Sequence, residues 1–511
     1  MDSVVWKRNA VNTLTNYANQ FLKIVNSFVI TRVLFECFGG EGYGIWTFLW
    51  VFFGYTIILD FGLGSSAKKI AAEYVANRDL KKLNKGISTV FLSYCSIGFF
   101  IAFLTYISVN LFYVHFDTPN GPDAFEVKEL FQIFGYSMAV IFPFGIFSEV
   151  QTGLHRIDIR NFVSLGVNIL NLIGVTVLSY LGKDLSFVMS FSLATHLLGP
   201  LINLLSCFLL IKGFRIKSSL FDKAILKETF RFSLNSYLSN FIIIIVQKFD
   251  QLIIGFFLGF SSVGFYQVAT RLGNLLKILS EQYQDNVAPL TARKTAEGED
   301  TALGKWIFEV NKLSRFFTVG ILIFLFVYAD VFLKVWLKID DPEIILIAHI
   351  GLLYTAINSI QRSVSCNFLL MSGEDRFLAK ASMLEVSLNI AISLALVKVL
   401  GVIGVLLGTI IPGIFIGQYI YLKASSRTGF ARSKYNNSTL LSLCSLAILH
   451  LFLRAELFEF MSAGILELGL FFALHIGLVI LSIYLFILKS RDRQKVNGFI
   501  HSLMPFSMGQ K

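Results

Sequence analysis

The chain has 511 residues, of which 55% are hydrophobic and only 15% charged, and its mean hydropathy is +0.68. That is more apolar surface than a soluble domain of this length needs, so a water-soluble enzyme or binding module is excluded and a polytopic membrane protein is expected. The net charge of +11 would suit a nucleic-acid partner, but the placement of the basic residues speaks against one.

Fourteen apolar runs are predicted, near 9–36, 43–64, 87–114, 128–150, 161–181, 186–211, 231–258, 262–284, 313–337, 343–370, 379–400, 402–422, 438–455 and 463–488. Most are long enough to cross a hydrocarbon core of about 30 Å as helices, and they lack the alternation of barrel strands. Of the 44 Lys and Arg residues, 32 fall in loops on the side of the N-terminus, 6 on the other side and 6 within the spans. This positive-inside asymmetry predicts two cytoplasmic termini. It also puts the basic stretches 68–85, 212–231 and 293–315 in the cytosol, where anionic lipid headgroups are a secondary partner. Cys37, Cys95, Cys207, Cys366 and Cys444 have no CxxC spacing and read as packing residues, with neither disulfides nor metal expected. No cleavable signal peptide is expected, because the first run is long and rich in asparagine.

In the first span, Asn12, Asn16, Asn19, Lys23 and Asn26 recur at spacings of 4, 3, 4 and 3, one face of a helix. Lipid contact is unfavourable for such a stripe, since a charge at mid-bilayer costs roughly 2.5–3.5 kcal/mol on insertion scales. It either bonds a neighbouring helix, at about 0.6 kcal/mol per contact, or lines a wet cavity. Five polar positions favour the cavity. Arg32 lies nearer the outer end of the same span, within snorkelling reach of the interface. The second span runs from a glycine-bearing turn to Asp60 and the sequence DFGLG, and its depth makes Asp60 a candidate partner for Lys23 across the hairpin.

The only conspicuous outer loop, 115–126, is acidic and short, with no room for an external catalytic domain. Span seven carries Asn240, Gln247, Lys248 and Asp250, and span eight carries Arg271, a possible salt-bridge partner for Asp250. Arg362 and Glu385 are further charges within later spans. The seven histidines are dispersed and read as interface or loop residues.

The stretch Gln247 to Arg271 repeats an earlier one. Laid over Phe21 to Trp46 at one constant offset, it aligns Gly39 with Gly259, Gly44 with Gly264 and Trp46 with Tyr266. A weaker echo pairs GLHRIDIR, Gly153 to Arg160, with GEDR, Gly373 to Arg376, so the duplication covers about six helices per half. The expected organisation is an N-terminal lobe at 1–217, a C-terminal lobe at 218–425, and two added helices with a basic tail at 426–511. Duplicated halves are common in secondary transporters, with the substrate site between the repeats. No phosphate loop, dinucleotide fingerprint, zinc-protease motif or nucleophile elbow is present. No enzyme activity and no cofactor are expected.

The sequences GGEGYGIW at Gly39 to Trp46, LDFGLGSSAKKIA at Leu59 to Ala71 and KFDQLIIGFFLGFSSVGFYQVATRL at Lys248 to Leu272 resemble the multidrug/oligosaccharidyl-lipid/polysaccharide exporter superfamily. The likeness spans about residues 5 to 425 and is nearest to the O-antigen type polysaccharide flippases. It implies an all-α fold of about 14 transmembrane helices, with two six-helix lobes around a central cavity that opens alternately to either side. The implied substrate is an undecaprenyl-pyrophosphate-linked oligosaccharide, an O-antigen or lipopolysaccharide repeat unit crossing the bacterial inner membrane. A polysaccharide polymerase and a chain-length regulator are the implied protein partners, with no nucleic acid.

A diphosphate needs fixed cations in a low-dielectric cavity. Arg271, Lys23, Lys248 and Arg32 are the candidates for that role. Asp60 and Asp250 are candidates for holding those cations or exchanging protons, and Asn16, Asn19, Asn26, Asn240 and Gln247 for lining the cavity. A peptidoglycan-precursor flippase, a cation-coupled drug exporter and a membrane glycan polymerase or ligase remain alternatives. Acidic residues in the first lobe are usual in drug exporters, whereas this first span carries Lys23 and Arg32 and no internal carboxylate.

Overall fold

The structure is a computed structural model that describes residues 2–112, 124–229, 249–281, 291, 300–428, 437–457, 464–488 and 493–494. Among these the regular elements are all helical. They are α1 (Asp2–Gly54), α2 (Leu63–Asn77), α3 (Leu80–Phe112), α4 (Ala124–Phe144), α5 (Ile146–Gly153), α6 (Ile157–Tyr180), α7 (Leu185–Leu210) and α8 (Phe249–Leu258). They continue as α9 (Phe260–Glu281), α10 (Asp300–Val327), α11 (Ala329–Leu337), α12 (Pro342–Met371), α13 (Asp375–Thr428), α14 (Asn437–Leu457) and α15 (Ile465–Ser482). Among the described residues, eight stretches of helix are long and apolar enough to cross a membrane. The first span is not among them, because its asparagines and Lys23 lower the hydropathy of α1.

The predicted basic loop 68–85 is largely helix, forming α2 and the start of α3. Spans one and two form the single run α1, and spans eleven and twelve the single run α13. In each, one glycine in left-handed backbone, Gly39 at φ 69° or Gly401 at φ 58°, is enough to break the helix. The positive-φ breaks also carry the duplication. Gly39, His155 and Gly182 in the first half match Gly259, Gly373 and Gly401 in the second, at nearly the same separation each time. The His155 and Gly373 pair, unlike the two glycine pairs, is not marked by matching residues in the sequence.

The chain forms two compact units, Met1–Gln267 with Val397–Val402, and Val268–Leu396 with Ile403–Lys511. In the first, α3 packs on α4, α1 on α6, α7 on α4 and α6, and α2 on α5. Its core joins Leu63 and Ala67 of α2, Ile87 and Val90 of α3, Phe147 and Val150 of α5, and Cys207 of α7. In the second, α10 is central, packing on α12, α14 and α15. Phe316 of α10, Leu446 of α14 and Val479 of α15 meet in one cluster. The five cysteines are free, and Cys444, expected to be a packing residue, is exposed. His450 and His475 depart from expectation, since both are fully buried rather than in loops or at an interface. Phe99, Phe103, Leu209, Phe415 and Leu474 point outward, a placement that lipid tolerates and water does not.

Within the first unit the repeated glycines meet each other. A Cβ on Gly44 would lie 1.8 Å from the Phe260 carbonyl oxygen and 3.2 Å from the Gly264 nitrogen. One on Gly264 would lie 2.2 Å from the Gly40 carbonyl oxygen. The obstacles are backbone atoms, which cannot rotate aside, so only glycine permits this approach of α1 to α9. Gly44→Ala and Gly264→Ala are each expected to destabilise the protein by about 1–3 kcal/mol or more. Gly166→Ala, on a helix with nothing within 4 Å of the added carbon, should be neutral or stabilising by up to about 1 kcal/mol. Thermal unfolding of the purified protein in detergent checks the contrast.

Candidate functional site

The turn carrying Asp60 is built from its own sequence. A short 3-10 helix, Tyr55–Asp60, ends at Phe61 and Gly62, both in left-handed backbone with φ of 47° and 74°, and the chain reverses into α2. Asp60 Oδ1 accepts a hydrogen bond from the Gly64 amide at 3.1 Å and another from the Tyr94 hydroxyl of α3. A carboxylate at the first turn of a helix meets unpaired amides and the positive end of the dipole. Gly64 leaves room for this arrangement, because a Cβ there would lie 3.1 Å from the Tyr94 hydroxyl and 3.4 Å from the Glu149 side chain. Asp60 is thus a helix-capping residue. Lys23 is exposed, and among the described residues the two form no ion pair. The hairpin pairing expected for them is replaced by the cap.

The asparagine stripe of α1 lies along α6. Asn19 donates to the Asn161 carbonyl at 3.0 Å and Asn26 to the Asn168 carbonyl at 3.1 Å, two contacts in a single register. The Asn161 amide returns bonds to Thr15 at 3.0 Å and to Asn16 Oδ1 at 2.7 Å. Asn19 and Asn26 are buried, whereas Asn16 and Lys23 are exposed. The stripe therefore divides into a buried edge that docks α6 and an outer edge holding Asn16 and Lys23. Asn161 and Asn168 as acceptors were not legible beforehand, since nothing in a sequence marks which carbonyl a distant asparagine will meet.

Asp250 is buried and accepts from the Tyr266 hydroxyl at 3.0 Å. Tyr266 was visible in the repeat as the counterpart of Trp46, but its role was not. Arg32 is half-exposed, with its Nε 4.0 Å from Glu36, a loose pair one turn apart of the kind that contributes little. Arg271 is half-buried on α9 beside the buried Ala269 and Leu272. Lys248, Asn240 and Gln247 lie outside the described residues. Three of the basic residues of the stretch 68–85 are in ion pairs: Glu73 meets Lys82 at 2.8 Å and Lys69 at 3.8 Å, and Lys85 meets Asp222 at 2.5 Å. The Lys85 ammonium and the amides of Ala224 and Ile225 hold the Asp222 carboxyl below its usual range.

In the second unit, Arg362 of α12 and Glu385 of α13 form a buried ion pair at 2.7 Å. Arg362 also donates to the Gly413 carbonyl at 3.3 Å. Gly413 and Gly417 sit one turn apart on α13, where a Cβ would crowd the Tyr354 hydroxyl or Gln361 Oε1. Small residues at this spacing let α13 approach α12 closely enough to seal the pair from lipid.

The sequence profile of the family described as "Polysaccharide biosynthesis protein" matches residues 5–281. No curated protein matches the chain significantly. Among solved structures, the lipid II flippase MurJ in an inward closed conformation has a TM-score of 0.67 at 16% identity, covering 97% of this chain and 99% of its own. An inward-facing multidrug resistance MATE family transporter of the MOP superfamily scores 0.65 at 16% identity, over 80% of this chain and 94% of its own. A MOP superfamily transporter from Pyrococcus furiosus, reported to have a binding pocket of reverse polarity, scores 0.57 at 14% identity over 84% and 97%. At such identities the likeness establishes the fold, a 12- to 14-helix all-α bundle.

Removing one member of a buried pair leaves the other charged and unsolvated. Arg362→Met and Glu385→Leu are each expected to destabilise the protein by about 3–5 kcal/mol, and the double variant Arg362→Met/Glu385→Leu to recover most of that loss. Thermal unfolding of the two single variants and the double variant, compared as a cycle, checks it.

Proposed function

The chain belongs to the polysaccharide biosynthesis protein family, and on that premise we propose that it is a flippase for an undecaprenyl-pyrophosphate-linked oligosaccharide, working by alternating access. The observation that carries the reading is the family match across residues 5–281, supported by a fold shared with the lipid II flippase over 97% of the chain. The cargo is an O-antigen or other surface-polysaccharide repeat unit, received at the cytoplasmic face of the bacterial inner membrane and released at the outer face. Residues 1–217 and 218–425 act as the two lobes, residues 426–511 as an appended helix pair and tail, and both termini are cytoplasmic. A polymerase and a chain-length regulator receive the product.

Arg271, Lys23 and Lys248 supply the positive charge for the diphosphate, with Arg32 nearer the interface. The exposed placement of Lys23 beside Asn16, and its freedom from Asp60, suit a side chain that meets cargo. Asp60 and Asp250 shape the site through Tyr94 and Tyr266. The outer edge of the α1 stripe lines the path, while Asn19 and Asn26 fix α1 to α6.

The test is translocation of a labelled undecaprenyl-pyrophosphate oligosaccharide in proteoliposomes, with wild type beside Arg271→Ala and Lys23→Ala at matched protein levels. A charge-assisted hydrogen bond contributes about 1.5–3 kcal/mol, so each alanine variant is expected to slow transport roughly 10- to 150-fold. Wild type that moves no lipid but exports a cationic dye from the same vesicles would replace this reading with drug export. Movement of lipid II in preference to the oligosaccharide carrier would point to the peptidoglycan precursor.

A further inference from the structure

We propose that His450 of α14 and His475 of α15 form a buried proton-binding site, and that uptake of one proton by the pair loosens the docking of these two helices on α10. The two rings are each 1% exposed, and His450 Nε2 lies 2.6 Å from His475 Nδ1. Neither residue has a part in the flippase reading, and the inference stands without it.

The geometry fixes the neutral state. His475 Nε2 lies 2.8 Å from the Gly320 carbonyl oxygen, which only accepts, so Nε2 carries the hydrogen and Nδ1 of the same ring is left as an acceptor. His450 Nε2 must then donate to it, which leaves His450 Nδ1 with a free lone pair. Its neighbour is the Tyr328 hydroxyl at 3.5 Å, and that hydroxyl donates to the carbonyl of His450 at 3.2 Å. The chain of hydrogen bonds therefore ends in one basic nitrogen, where a proton enters.

A proton there places a full charge among aromatic rings. Phe324 lies 5.6 Å from His450 and 5.2 Å from His475, and Phe471 lies 5.7 Å from His450. Among the described residues, the charged groups facing the dyad are few. From α14 comes Arg454, one turn beyond His450, paired at 2.6 Å with Asp330 of α11 and donating to the Val327 carbonyl. From the end of α10 comes Tyr328. On α12, His349 is held by the Ile345 and Phe326 carbonyls, and on α15 Glu467 is exposed two turns away, with Tyr484 beyond the helix end. A protonated His450 would set two cations one turn apart on α14 before one carboxylate, Asp330. Like charges at that spacing repel, and a buried charge without its own counter-ion is strongly disfavoured. The proton is therefore taken up as the helices part, where a solvated imidazole titrates in its ordinary range, about pH 5 to 8, and acidification through that range favours the loosened state.

The α10 surface beneath the dyad has no slack. A Cβ on Gly320 would lie 2.9 Å from Val479, so α15 rests directly on the backbone whose carbonyl accepts from His475.

The experiment uses the full chain in detergent, with native cysteines replaced and a cysteine at Leu446, a buried position one turn before His450 that packs on Phe316 and Val479. A cysteine at the exposed Ser218 gives the intrinsic reagent rate at each pH. The rate at position 446, normalised to position 218, is expected to rise at least tenfold between pH 7.5 and 5.5. It should stay low and flat in the His450→Phe/His475→Phe background, or in His450→Gln if the double variant does not fold. A flat wild-type profile would overturn the proposal. So would a rise that survives in the histidine variants and disappears in Asp330→Asn, since the carboxylate would then be the titrating group.

Discussion

Hydrocarbon offers no hydrogen-bond partner, and that constraint decides how the helices of this chain are paired. Each polar group carried into the spans has to be answered by another helix or by a wet surface. The α1 stripe is answered by α6, through the carbonyls of Asn161 and Asn168. Arg362 is answered by Glu385 and the Gly413 carbonyl, and His475 by Gly320. The apolar residues between these points contribute area, but area alone would let helices rotate or slide. Two donors spaced two turns apart on α1, bonding acceptors with the same spacing on α6, permit only one register.

The second constraint is closeness. Where α1 meets α9 the spacing is set by the absence of side chains on Gly44 and Gly264, and carbonyl oxygens of each segment occupy the space a Cβ would take. These positions are equivalents in the internal repeat, so one requirement has been placed twice in the chain and then satisfied mutually. The left-handed breaks follow the same duplication, at Gly39 and Gly259 and again at Gly182 and Gly401. Helix ends, rather than helix faces, are the best preserved mark of the doubling.

Much of the fold was legible because it depends on one-dimensional signals. Apolar run length marked the spans, glycines marked the breaks, and one constant offset between repeated glycines tied the halves together. The contacts were less legible. The Asn12 to Asn26 periodicity correctly placed five residues on one face, yet it could not say that Asn19 and Asn26 would dock α6 while Asn16 and Lys23 stayed outside. Asp60 was paired with Lys23 on depth, and depth says nothing of the left-handed pair Phe61 and Gly62, which turns the chain so that Asp60 caps α2. His450 and His475 lie on separate helices with no motif around them, so only folding brings their rings together. Arg362 and Glu385 stood out as charges within spans, but their mutual pairing rests on the two glycines that admit α13 to α12.

The central claim is that the protein handles a lipid-linked diphosphate rather than an organic cation, and binding tests it most directly. The measurement is native mass spectrometry of the purified protein titrated with undecaprenyl-pyrophosphate oligosaccharide, undecaprenyl monophosphate and a cationic dye in parallel. The account predicts saturable binding of the diphosphate-linked oligosaccharide, at least tenfold tighter than the monophosphate, and no saturable binding of the dye. Saturable dye binding with no preference for the diphosphate would contradict it.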